Sequence, residues 1–509
     1  MNTALVMTLP GGKTVTVPIG TAAETLAEHF GPLNSPLAAI RVSNEIEPLS
    51  ARLEINAAVE PVTLESVAGT EIYRRSLAFL LAVAAEDLYP ERSLVIGHSL
   101  GNSYYYTLAL RDSLTANGIT ENGVAENDAS DDGLAENGGD RRPGVTAEDI
   151  RALENRMRVL VRDNIPVGAG YIAWSEAAEL FEKNSQKDTL RLLERRSGAK
   201  VRVNRAGSYV NLYFGPLVPR TGVLSVFQLM PYHEGFLLRF PGQERGLALD
   251  PFTDSPRIFE VYREYKKWGR IVGVHSAGDL NQLVATRKIR DFIRIAEAFQ
   301  ARKISDIASR IYDRRDEVKA VLIAGPSSSG KTTTAKRLSI ELMVLGIEPI
   351  AVSLDDFYVG IDKTPRDEKG KPDFEALEAL DVPLLNDLLL RLFDGGETVM
   401  PSFDFKSGRR RDTPGATLKM GRRSMLILEG IHGLNDRLTP KIERSMKFKL
   451  YISALTQLNL DDHNRIPAGD NRILRRMVRD YQFRGAGAER TLQMWPNVEK
   501  GAWKHIFTF

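Results

Sequence analysis

The chain has 509 residues and carries 68 Lys and Arg against 66 Asp and Glu, a formal charge of +2. That length suggests two to four domains, and so small a net charge gives no general signal for nucleic acid or an anionic membrane surface. A hydrophobic fraction of 43% suits a globular protein, and zero Cys excludes disulfides and thiolate metal sites.

Residues 1–64 alternate short β-like runs (TALVMTLP, KTVTVPIG, LAAIRVS) with one helical stretch, TAAETLAEHFG, which predicts a small mixed α/β module. No basic segment followed by an apolar core and a cleavage site opens the chain, so a cytoplasmic location is expected. An α+β region is predicted over 65–265. Its most apolar run, LAFLLAVAA (77–85), falls short of the roughly 18 residues of a membrane span and reads as a buried helix. Residues 115–144 are rich in Asn, Gly, Asp and Glu. Such a segment cannot bury enough apolar surface to offset its ordering entropy, so an exposed, disordered insertion is expected there. TAEDIRALENRMRVLVRD (146–163) signals a helix capped by Thr146 together with Asp149. Helical, charge-rich sequence over 266–317 predicts a connector. From 318 to 509, strand and helix signals alternate as a parallel sheet covered by helices requires.

The final region opens on KAVLIA, a strand-like run, followed by GPSSSGKT (325–332) and an amphipathic helix ended by Gly346. This is G-x-x-x-x-G-K-[ST] in its strand–loop–helix context. Gly325 and Gly330 permit torsions and close approach that a Cβ obstructs. Pro326, Ser327, Ser328 and Ser329 supply the loop whose amides, with the helix N-terminus at Thr332 and Thr333, face phosphate oxygens. Lys331 is expected against the β- and γ-phosphates of ATP, and the Thr332 hydroxyl on Mg²⁺. The next strand, IEPIAVSLDDFYVG, ends in Asp355 and Asp356. A carboxylate there is placed to take a proton from an acceptor hydroxyl, or else to cap a turn. SMLILEG ends in Glu429, the candidate acid for Mg²⁺ or its water.

GPSSSGKTTTAKRL, SLDDFY, PSFDF, LEGIHGL and NRILRRMVRD, in this order, resemble the uridine kinase branch of the P-loop kinases over 318–509. The resemblance implies a nucleoside kinase using ATP and Mg²⁺, with Asp355 as base and a nucleoside as substrate. Tyr358 and Glu375 would lie around the ribose, although the family more often has Asp where Glu375 stands. Phe403 and Phe405 would pack on the base, or else share one face of a core strand. Arg475, Arg476, Arg479 and Arg484 would lie on or near the closing lid, against the alternative of a solvated helix face. Where pyrimidine-specific members carry a base-contacting His, this chain has Gly408, which weakens any preference for uridine or cytidine. The chain also stops after a strand-like HIFTF, where similar proteins continue, so a truncated kinase domain is expected.

Residues 1–64 resemble a TGS domain through GGKTVTVPIGTAAETLAEHFG, and 65–265 resemble the second additional, editing domain of threonyl-tRNA synthetases. YRRSLAFLLAVAAEDLYP, GHSLGNSYYY and GPLVPRTG carry the second likeness. That family uses an H-x-x-x-H and a C-x-x-x-H pair. Here His98 is kept, while Asn102, Tyr213 and Leu217 stand at the other three positions, so neither zinc nor editing is expected. His98 reads as a hydrogen-bonded structural residue. With only Lys13, Arg41 and Arg52 as basic residues, the N-terminal module carries too little charge for an RNA footprint, so nucleic acid is not expected as a partner. Homo-oligomerisation is left open. Three readings compete: a nucleoside kinase with regulatory or substrate-covering N-terminal domains, a tRNA-binding or editing-related protein with an accessory ATPase, and an inactive regulatory module.

Overall fold

The computed structural model describes residues 4–111, 145–195, 198–242, 246–367, 370–404, 407–413, 415–456 and 458–505. The Asn/Gly/Asp-rich stretch 115–144 and Phe405 lie outside them. The chain forms two units: Met1–Ile289 with Gln457–Ile466, and Arg290–Thr456 with Pro467–Phe509.

In the first unit, β1 (Ala4–Thr8), β2 (Thr14–Pro18), β3 (Leu37–Val42), β4 (Glu45–Pro48) and β5 (Ala57–Thr63) form one sheet in the order β2-β1-β5-β3-β4. Only β1 and β5 run parallel within it. Alternation puts Leu5, Met7, Ile40 and Val59 in a common core with Leu26. The helical stretch expected at 21–31 is a 3-10 helix, Ala23–His29.

α1 (Val67–Leu88) begins where the Ser66 hydroxyl accepts the Gly69 amide at 3.1 Å, and it buries all of Leu77–Ala85. β6 (Arg92–Ser99) and β7 (Ser103–Leu110) follow. α2 (Ala147–Arg162) starts with the capping box expected of Thr146 and Asp149. The unit continues through β8 (Gly168–Ala173), α3 (Trp174–Lys183), α4 (Lys187–Leu193), β9 (Lys200–Ala206), β10 (Tyr209–Asn211), β11 (Gln228–Tyr232), β12 (Gly235–Arg239), α5 (Pro256–Val272) and α6 (Ala277–Ala285). Two sheets result, an antiparallel β11-β12-β7-β6 and a three-stranded β10-β9-β8. β6 is the edge strand of the first, and its ladder with β7 shifts register between Ile96 and Ser99.

α7 (Ile289–Asp313) leads into the second unit. Its central sheet is formed by β13 (Ala320–Ala324) with neighbours placed below, and α8 (Lys331–Val344) starts at Lys331. Gly346, at φ +82°, lies just beyond the end of α8. β14 (Glu348–Ser353), α9 (Val382–Phe393), two small ribbons pairing β15 (Glu397–Val399) with β18 (Thr417–Lys419) and β16 (Phe403–Asp404) with β17 (Arg409–Arg410), β19 (Ser424–Glu429) and β20 (Lys447–Tyr451) follow. The sheet order is β14-β19-β13-β20, with every pairing parallel. β13 is buried along its whole length, as a parallel strand covered on both faces must be. The unit closes with α10 (Ala468–Arg484) and α11 (Ala488–His505), so His505, expected at the start of a strand, is the last residue of a helix. No described helix is long and apolar enough to cross a membrane.

Candidate nucleotide and acceptor site

The site in the second unit grows from the carboxyl ends of parallel strands, where a doubly wound sheet opens its crevice. β13 runs into the loop Gly325–Gly330, and α8 begins at the next residue. Gly330 sits at φ +105°, a conformation that suits glycine. A Cβ on Gly325 would overlap the carbonyl of Ile452, whose own amide bonds Ala324 O at 2.8 Å. The loop is therefore held tightly from the β20 side. The Ser328 and Ser329 hydroxyls are buried without a hydrogen-bond partner among the described residues. Orphaned hydroxyls, a glycine-rich turn and a helix N-terminus make one anion-binding cradle, and in that respect the residues fit the triphosphate of ATP.

Lys331 folds back over the loop, its Nζ 3.4 Å from Pro326 O. Burial lowers its pKa, while the charges of Glu429, Asp355 and Glu375 raise it. Three carboxylates from three separate stretches of chain thus lie within electrostatic reach of this lysine. The Thr332 hydroxyl donates to Glu429 Oε1 at 2.8 Å, a hard-oxygen pair suited to Mg²⁺ or its water. Thr333 lies exposed on the first turn of α8. Among the described residues no group of three or more His, Cys, Asp or Glu could hold a metal by itself, so any Mg²⁺ here would share its ligands with phosphate and water.

On the acceptor side, β14 ends at Ser353 and a 3-10 turn, Leu354–Phe357, carries both aspartates. They divide the work. Asp356 Oδ1 accepts the Phe403 amide at 3.2 Å and so ties β16 in place. Asp355 faces the lysine electrostatically. The Tyr358 hydroxyl donates to Phe374 O at 3.1 Å, and its ring lies 5.4 Å from Phe403 and 5.8 Å from Phe374. Burial and the nearby Asp355 and Glu375 hold that phenol well above its usual pKa. Phe403 is buried in this aromatic wall. Gly408, at φ +68°, makes the turn between β16 and β17, donating to Asp404 O and accepting from the Ile361 amide. That turn explains a glycine where a base-contacting side chain was sought.

Burial pushes Glu375 up to about 7, against the opposing charges of Arg476 and Lys331. Gly501 of α11 packs directly on its Cβ and Cγ. From α10, Arg475 Nε donates to Ser328 O at 3.0 Å and Arg476 Nη1 to Ser327 Oγ at 2.8 Å. Arg476 and Arg479 both pair with the buried Asp480, at 3.2 and 2.9 Å. Arg484 is the last residue of the helix.

Arg472, outside the arginines expected on the lid, is 5% exposed and donates to Ser327 O at 3.2 Å, with its guanidinium 5.1 Å from the Trp495 ring. Its Nη2 is buried without a partner among the described residues. The signal was present, because 472, 476, 479 and 480 share one helix face.

In the first unit the four editing-like positions hold no comparable chemistry. His98 is buried and stacked 6.2 Å from Tyr262, and burial together with Arg465 lowers its pKa to about 4. Asn102 bridges Arg74 and Asp250 at 3.3 and 2.8 Å. Tyr213 packs edge-on against Phe79, and Leu217 is core. The isolated His233 sits in a tight turn at φ +49°, stacked on Phe259.

Strand–loop–helix, parallel sheet and arginine helix define a P-loop fold. Residues 320–507 match the Phosphoribulokinase / Uridine kinase family. Solved structures similar to this chain include a possible uridine kinase from Bacillus stearothermophilus, at 24% identity and a TM-score of 0.22, covering 28% of this chain and 80% of that one. Another is D-glycerate 3-kinase from Cryptococcus neoformans, at 15% identity and a TM-score of 0.29, covering 40% and 88%. The N-terminal region instead resembles threonine–tRNA ligases. The Acidithiobacillus ferrooxidans enzyme is 34% identical over 209 residues, 40% of this chain and 27% of the relative. Threonine–tRNA ligase 2 of Bacillus subtilis is 27% identical over 226 residues, 43% of this chain and 30% of the relative. The chain therefore spans less than a third of the length of these curated relatives.

Proposed function

We propose that the second unit is a nucleoside kinase, moving the γ-phosphoryl group of ATP to the 5′-hydroxyl of a uridine- or cytidine-like nucleoside in the cytoplasm. The observation that carries this reading is the loop Gly325–Gly330 opening α8, with the Thr332 hydroxyl bonded to Glu429 beneath a helix whose arginines bond the same loop. In this reading Gly325–Thr333 hold the phosphates and Lys331 neutralises charge that grows on the leaving oxygen. Mg²⁺, held by Thr332 and Glu429, would supply further charge neutralisation between the phosphates. Asp355 takes the proton of the acceptor hydroxyl as its oxygen bonds the γ-phosphorus; the bond to the β,γ-bridging oxygen breaks, and ADP leaves with that electron pair. Tyr358, Glu375 and Phe403 flank the acceptor, and the first unit serves regulation or substrate cover.

Identity with threonine–tRNA ligases favours a second reading, a tRNA-binding protein with an accessory ATPase. Incubation with ATP, Mg²⁺ and a nucleoside panel separates them. Nucleoside-dependent ADP release supports the kinase, tRNA-stimulated hydrolysis supports the alternative, and silence in both assays refutes both.

A further inference from the structure

The first unit holds two consecutive arginines that no carboxylate pairs with. Arg74 and Arg75 stand half-buried on α1, and among the described residues neither has an acid within ion-pair distance. A guanidinium keeps its proton at any ordinary pH, so each holds a full charge partly withdrawn from water. Burial pulls the pKa of Arg74 down, against the opposing influence of Tyr104, Glu71 and Asp250. Burial does the same to Arg75, against Glu71 and Tyr104.

What the two side chains touch instead is neutral. Arg74 Nη2 donates to Asn102 Oδ1 at 3.3 Å and to Pro241 O at 3.1 Å, and its guanidinium lies 4.9 Å from the Phe240 ring. Its Nε is buried without a partner among the described residues. Arg75 Nη1 donates to Pro216 O at 3.0 Å. A Cβ on Gly215 would come within 2.7 Å of that nitrogen and 3.3 Å of Nη2, so the guanidinium lies against bare backbone at an exposed glycine. Tyr104 of β7 joins the group, with its ring 4.6 Å from Phe240 and 5.1 Å from the Arg465 guanidinium. Arg465 comes from residues 458–466, a hairpin of the same unit docked on the edge of β6. There Ile96 N donates to Asp462 O at 2.8 Å, and Ile96 O accepts Asn459 Nδ2 at 2.6 Å. Arg465 too lacks an acid at ion-pair distance among the described residues.

We propose that Arg74, Arg75 and Arg465, grouped around Tyr104, form a binding site for a small phosphate monoester. The site lies wholly in the first unit and owes nothing to the kinase reading of the second. Desolvated guanidinium groups held by neutral partners gain from an anion what water no longer supplies. Of the two acids in electrostatic reach, Asp250 already accepts Asn102 Nδ2 at 2.8 Å, and Glu71 is exposed. A phosphate monoester brings close to two negative charges at neutral pH and three acceptor oxygens, enough to engage more than one guanidinium fork. A carboxylate brings one charge and two oxygens. Three arginines at one point, in a chain of net charge +2, suit a small ligand better than a nucleic-acid strand, which needs cations along its length.

The experiment titrates the full chain with phenyl phosphate, takes benzoate as the singly charged control with the same ring, and follows hydrogen exchange segment by segment. Phenyl phosphate should slow exchange over 100–104 and 212–217, and benzoate should need about tenfold higher concentration for the same effect. In Arg74→Gln/Arg75→Gln the Kd read from those segments should rise about tenfold. Arg75→Lys keeps the charge but loses the planar fork, and should weaken binding about threefold. Slowing over 325–333 would report the phosphate loop instead, so failure of one site is distinguishable from failure of the other.

Unchanged exchange over 100–104 and 212–217 at millimolar phenyl phosphate overturns the site. An equal Kd in the glutamine pair, or benzoate binding as tightly as phenyl phosphate, overturns it as well. If the glutamine pair loses protection throughout β6, β7 and β12, the decision passes to Arg75→Lys, where unchanged affinity overturns the site and weakened affinity upholds it. Binding of a 5′-phosphorylated oligonucleotide, with none of phenyl phosphate, overturns the small-ligand assignment in favour of nucleic acid.

Discussion

At the phosphate loop the second unit leaves polar atoms uncommitted, whereas along β6 the first unit pairs them with a segment of its own chain. Ser328 Oγ, Ser329 Oγ and Arg472 Nη2 are buried without partners among the described residues. Ile96, Leu212 and Ala277, by contrast, each bond residues 459–464. A buried donor without a partner carries a desolvation penalty of about 1–3 kcal/mol, which a ligand can relieve. A satisfied one has nothing to gain. The contrast separates a surface built to receive something from one already filled, and neither residue identity nor burial alone would draw that line.

The sharpest way to break the comparison is at Asp355. Asp355→Asn should lower kcat by about 10³-fold while the Kd for ATP stays within twofold, checked by single-turnover rates and equilibrium binding; vigorous turnover would remove the base assignment. Gly325→Ala comes next. Its Cβ meets a backbone carbonyl that cannot swing away, so urea unfolding of the second unit should show a loss of about 1–3 kcal/mol.

Two titrations sharpen it further. His98 has a folded pKa of about 4, below its ordinary 6.5, so the native state binds fewer protons. Its stabilisation is therefore present above 6.5 and is lost as pH falls through 6.5 towards 4. Denaturant melts of the first unit should lose up to about 3 kcal/mol over that range relative to His98→Asn. Glu375 runs the other way. Its folded pKa is raised to about 7 from 4.5, so native stability is fullest below 4.5 and falls as pH rises to 7. Glu375→Gln mimics the protonated form and should stabilise the second unit by up to about 3 kcal/mol at pH 8, with little effect at pH 4. At the small end, Thr146→Ala removes the α2 cap and should cost about 1 kcal/mol.

What the sequence made legible was local. The phosphate loop declares itself because its residues have fixed spacing between a strand and a helix. The α2 cap needs only Thr146 and Asp149, and the burial of Leu77–Ala85 follows from their own apolarity. Features that depend on distant contacts stayed hidden. Asp355 and Asp356 are adjacent and chemically alike, and only the amide of Phe403 gives the second a structural task. In the sequence Gly408 marks only the lack of a base-contacting side chain, whereas its positive φ serves a turn. The docked hairpin pairs Asn459 with Ile96 across 363 positions, a separation at which no pattern within a window can speak.

The insertion of 457–466 into the first unit also fixes an order of events during synthesis. The ribosome delivers β6 and its neighbours long before the residues that cover their edge, because nearly all of Arg290–Thr456 must emerge in between. Throughout that interval β6 offers unpaired backbone groups of the kind that recruit other nascent chains. Overproduction at lower temperature, or with a holdase present, should therefore raise the soluble yield of this chain more than that of the same chain carrying a Pro at a half-buried position of β6.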